Sequence, residues 1–222
     1  GLQLPPRVLP SRPGIADVKR EIANTSMAGE KVRDAIVYLN NVLALDNAKA
    51  LQPAVYLKLG LAYYNMNNNS GALRNYQKLI TLYPQSAEAD EAMDNMKSIY
   101  VEEGKPDEYV DVLKKAGKSI SVSDADSISW SAAELKYNNG DCTNAITGFN
   151  NYLDKYPDGS FALQENFLKS ECYVKSKDFP NAITGYEAVL AKANSKYAER
   201  AALAASRIYY FELKDYSKAK AA

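Results

Sequence analysis

From about residue 15 onward apolar residues recur every three to four positions with few β-branched runs, which predicts a succession of amphipathic helices. Residues 1–15 differ: they hold Pro5, Pro6, Pro10 and Pro13 and no apolar period. Proline fixes φ and removes an amide donor, so this stretch reads as an extended linker or leader. The helical part is punctuated. Gly104 and Gly140, with Asn67 as the permitted substitute, suit the left-handed residue that closes a helix. Asp141, Asp178 and Asp215 follow, where a carboxylate caps the free amides of the next helix. Pro180 falls in a first turn, where a missing N–H costs nothing.

The punctuation repeats. Taking Pro53 as position 1, Tyr56 falls at 4, Leu59 at 7, Gly60 at 8, Tyr63 at 11, Ala72 at 20, Tyr76 at 24 and Pro84 at 32. The same register starts near 16, 53, 90, 126, 163 and 200, in steps of 37, 37, 36, 37 and 37 residues. Position 20 then reads Ala35, Ala72, Tyr109, Ala145, Ala182 and Ala219. Small residues at 8 and 20 let the two helices of a hairpin cross closely, and aromatics at 11 and 24 fill the space beside them. These residues resemble the tetratricopeptide (TPR) repeat. The resemblance implies an all-α, right-handed α-solenoid of helix A–helix B pairs over residues 16–222.

Three repeats depart from the pattern. The first has Lys19 and Ser26 where apolar residues belong, the third has Lys97 and Tyr109 in its small slots, and the sixth has Arg207 at position 8. Tyr109 is expected to push its helices apart or re-angle them. The sixth repeat stops partway through helix B, which reads as a segment of a longer protein able to self-associate through its ends. The loops Tyr83-Pro84-Gln85-Ser86 and Tyr156-Pro157-Asp158-Gly159-Ser160 are similar to those of Gram-negative envelope TPR proteins, the Tol-Pal-associated and β-barrel-assembly lipoprotein types. Leu59–Met66, Gly140-Asp141-Cys142 and Arg207–Tyr210 look like the long extracytoplasmic TPR proteins of Bacteroidetes. A periplasmic or outer-membrane-associated location follows as an expectation.

In that family helix A lines a concave groove, with positions 2, 5, 9, 12 and 13 pointing into it. Position 5 gives Leu57, Asp94, Trp130, Phe167 and Ala204. Position 9 gives Leu61, Ser98, Glu134, Glu171 and Ile208, and position 12 gives Tyr64, Val101, Tyr137, Val174 and Phe211. The expected partner-binding groove is Leu57, Leu61, Tyr64, Trp130, Glu134, Tyr137, Phe167 and Glu171. Aromatic anchors beside carboxylates suit an apolar segment carrying Lys or Arg. Trp130, the only tryptophan, has a second reading as core between repeats. The Lys/Asn/Arg clamp of chaperone-binding TPRs is missing, which disfavours an acidic C-terminal tail as ligand.

Composition narrows the function further. Lys plus Arg and Asp plus Glu are each 27, so there is no excess positive charge for nucleic acid. No apolar run reaches the roughly 18 residues of a membrane span. Histidine is absent, which removes Ser-His-Asp and Cys-His centres and any imidazole metal site. No phosphate-binding glycine motif or CxxC occurs, so neither enzyme, cofactor nor metal is expected. Cys142 and Cys172 fall at position 17 of one repeat and position 10 of the next, toward one end of the layer. Two free buried thiols are the expected state, with a disulfide as the alternative. The function read from these features is a protein-protein interaction scaffold. The alternatives are a glycan-binding lipoprotein with TPR helices and an accessory domain of a larger sensor or enzyme.

Overall fold

The computed structural model describes residues 30–192 and 195–221; helix A of the first repeat and the proline-rich stretch lie outside them. The described residues are helical, with no strand among them. The chain divides into two compact units, Gly1–Met96 and Lys97–Ala222.

In the first unit α1 (Glu30–Leu43) is followed by a 3-10 turn (Asp46–Leu51) and the hairpin α2 (Gln52–Asn65) and α3 (Asn69–Leu82). A core of Leu39, Val42, Ala48, Val55 and Leu59 joins them. Helix α4 (Ala87–Glu103) begins in this unit and ends in the second. The second unit continues with α5 (Pro106–Lys115), α6 (Val122–Asn138), α7 (Cys142–Lys155), α8 (Ala162–Lys175), α9 (Phe179–Leu190) and α10 (Ala198–Arg207). A π-helical turn (Ile208–Glu212) and α11 (Tyr216–Ala221) follow. Helices α6 to α10 each pack on their neighbours in sequence, and α6 also meets α8, the pattern of stacked hairpins.

The hairpin turns repeat one device. Asn67, Gly104, Gly140, Lys177 and Lys214, all at position 15, have φ of 57°, 73°, 78°, 60° and 55°. In the first four, the amide of the next residue bonds back to the carbonyl five before it, closing a Schellman-type end. Asp141 Oδ1 then accepts from the Asn144 amide at 3.1 Å, Asp178 from Asn181 at 3.4 Å and Asp215 from Lys218 at 3.0 Å. The capping roles read from the sequence are therefore formed. Lysine at position 15 is not signalled by composition, because an L side chain in the left-handed region is strained.

The close crossings also follow the register. A Cβ placed on Gly60 would lie 2.1 Å from the Tyr76 ring, and one on Gly148 2.9 Å from Ala133 Cβ. In the degenerate third repeat Tyr109 is 5% exposed and sits 6.2 Å from the ring of Tyr100. A cavity of about 370 Å³ lies among the start of α5, α6 and α7, lined in part by Pro106, Ala133, Gly148 and Tyr152.

Candidate functional site

The expected groove residues separate into two groups. Trp130, Phe167 and Leu57 are buried, with 7%, 2% and 5% exposure, so they are core residues and not free anchors. At Trp130 and Phe167, both at position 5, the ring is covered by the aromatic residue at the start of the next hairpin. Phe161, at the start of α8, stacks on Trp130 with centroids 5.0 Å apart and planes 4° apart. Tyr197, at the start of α10, stacks on Phe167 at 5.4 Å. Burial of rings of this size dominates core energetics, so the packing claims them first. The first unit holds Leu61, half-buried, and Tyr64, 36% exposed, on α2.

The second unit brings Glu134, Tyr137 and Glu171 to a surface shared by α6, α8 and α10. Tyr137 Oη donates to Glu171 Oε2 at 2.5 Å, and Arg200 Nη2 reaches Glu171 Oε1 at 3.4 Å. The Arg200 guanidinium also lies 4.5 Å from the centre of the Phe167 ring, and Lys175 Nζ lies 4.9 Å from that of Tyr137. Burial, then the bond to Glu171, pushes the Tyr137 hydroxyl up to about 12, so it stays a donor at neutral pH. Glu171 is thus occupied by its neighbours. Glu134 is half-buried, and burial raises its pKa.

In the second unit an apolar cavity of about 630 Å³ is lined by Val174, Phe179, Tyr186, Ala204, Ile208 and Phe211, together with Arg207 and Glu212. Phe211 is 64% exposed. The π-helical turn carries both Ile208 and Phe211, and such turns recur at functional sites. Val174, Ala204, Ile208 and Phe211 occupy groove positions 12, 5, 9 and 12, so the register points to them although aromatic character singles out other residues. Arg200 and Lys175 carry no such signal, because their partners lie one repeat away.

Cys142 at the start of α7 and Cys172 in α8 are bonded in the structure, with Cα atoms 5.3 Å apart. The expectation of two free thiols gives way to a link between helix B of one repeat and helix A of the next. Among the described residues no group of three or more Asp, Glu or Cys could hold a metal ion. No helix there is long and apolar enough to cross a membrane.

The tetratricopeptide-repeat family model matches residues 54–86 and 130–159, one stretch in each unit. Together with the stacked hairpins this defines the class: an all-α chain of stacked helical hairpins, two stretches of which match the tetratricopeptide repeat. Among solved structures it is similar to the crystal structure of MamA protein, at 15% identity and a TM-score of 0.40, over 78% of this chain and 88% of that one. A comparison with curated proteins found no match.

Proposed function

We propose that the chain is an interaction scaffold that holds a partner segment along the helix-A surface of α6, α8 and α10. The observation that carries this reading is the 630 Å³ apolar cavity opening at groove positions, with exposed Phe211 at its lip. Its size suits one or two apolar side chains of a partner, since ligand clefts span roughly 300–1,000 Å³. Glu134, without an ionic partner of its own, favours a Lys or Arg elsewhere on the same segment. Stacked hairpins are stiff, so little ordering cost falls on the scaffold when it binds.

The Cys142–Cys172 bond supports an extracytoplasmic site of action, because disulfides persist in oxidising compartments. The envelope resemblance of the Tyr-Pro loops points the same way. Affinity capture from envelope extract tests the proposal, comparing the wild type with Phe211→Asp and Glu134→Lys proteins shown by circular dichroism to be folded. A partner held by the wild type and lost by both variants supports the groove. An unchanged partner set refutes it.

A further inference from the structure

Position 3 of helix A is a core slot: Val55 and Ala92 are 0% exposed there and Ile128 3%. In α8 the same slot holds Glu165, also 0% exposed, and neither of its carboxyl oxygens has a hydrogen-bond partner. Lys169, one turn along α8, is spaced to neutralise it, yet its Nζ donates instead to Asn150 Oδ1 at 3.2 Å. The neighbour that acts most on Glu165 is a second acid, Asp126 of α6, which is 5% exposed. Asp126 Oδ2 accepts from the Ser160 amide at 3.0 Å and Asp126 is also bonded by the Tyr152 hydroxyl, while its Oδ1 is unpartnered. Tyr152 Oη in turn accepts from the Phe161 amide at 3.0 Å. The network thus fastens the loop that sets Phe161 on Trp130.

An unpaired charge buried away from solvent is strongly disfavoured, and a carboxylate removes it by binding a proton. We propose that Glu165 holds a proton in the folded protein, and that this proton is a latch between the hairpins α6–α7 and α8–α9. On unfolding Glu165 becomes an ordinary carboxylate and releases the proton to solvent. The folded protein is therefore an alkali-sensitive assembly whose repeat contact weakens as pH rises. This goes beyond the binding role and does not depend on it.

The charged groups acting on Glu165 are Asp126 from α6 and Lys169 from its own helix, and Glu165 in turn acts on Tyr152 of α7. Burial, reinforced by Asp126, pushes Glu165 up to about 10. An acid raised in the fold is protonated there and ionised when unfolded, so stability falls from just above the unfolded pKa of about 4.3 up to the folded one. Lys169, lowered by burial, works in the opposite sense. Between pH 6 and 9 the background is low, because the chain has no histidine and both cysteines are bonded.

The test is denaturant unfolding at pH 6, 7.5 and 9, followed by the fluorescence of Trp130, for wild type, Glu165→Gln and Asp126→Asn. The wild-type unfolding constant rises about tenfold per pH unit, as one released proton requires. In E165Q the profile is flat, and in D126N, which removes the charge that reinforces Glu165, it is shallower than the wild type. A flat wild-type profile, or variants as steep as the wild type, would overturn the proposal. Should E165Q not fold, proton release on unfolding of the wild type in weak buffer at pH 7.5 decides: about one proton supports the latch and none refutes it.

Discussion

Reducing the Cys142–Cys172 bond is the perturbation whose size follows most directly from the chain. The cysteines are 30 residues apart in sequence. In the chain-entropy account, closing a loop of that length removes about 12 cal/mol/K from the unfolded ensemble, or about 4 kcal/mol at 25 °C. Reduction leaves both sulfur atoms in place, so little packing volume is lost at Cys172, which is fully buried. Urea unfolding with and without a phosphine reductant, read by Trp130 fluorescence and far-ultraviolet circular dichroism, measures the difference. With a slope of about 2 kcal/mol/M, the midpoint falls by roughly 2 M on reduction. A thiol count on denatured, unreduced protein accompanies it and should be zero. Two free thiols per chain, or a midpoint that reductant leaves within about 0.3 M, refutes the bond and with it the argument for an oxidising compartment.

Two further predictions concern the repeat register. Gly60→Ala gains about 1 kcal/mol in helix propensity but drives a Cβ to 2.1 Å from the Tyr76 ring, which is fully buried. Overpacking of this kind costs about 1–3 kcal/mol, so net destabilisation by thermal or urea unfolding is expected, with partial recovery in G60A/Y76L; a stabilised G60A would contradict the close crossing. Lys177→Gly relieves a side chain at φ 60° and should raise stability by up to about 1 kcal/mol, with binding unchanged.

The helix hairpins were legible in the sequence because their determinants are local. Position 15, the Asp caps and the proline positions each act within one turn of backbone, and the structure has them where the register puts them. Groove membership was legible only in part. Whether a position-5 ring is free depends on what the next hairpin lays over it, and Phe161 and Tyr197 lie about 30 residues from the rings they cover. Single-repeat reasoning counts aromatic character as exposure, whereas burial makes Trp130 and Phe167 structural. Polar pairing is non-local for the same reason: Glu171 reads as a free carboxylate until Tyr137 and Arg200 from adjacent repeats reach it. Glu165 stands in a slot whose other occupants are apolar, and that comparison between repeats is itself present in the sequence.

The proposed scaffold role places partner segments on the helix-A surface at the π-helical turn. Site-specific photo-crosslinking tests it most directly, with benzoylphenylalanine placed at Phe211 or at Val122, which is 78% exposed at the start of α6. A discrete crosslinked partner is expected from position 211 in envelope extract, absent from position 122 and competed away by unlabelled protein. A partner captured from position 122 and not from 211 would contradict it.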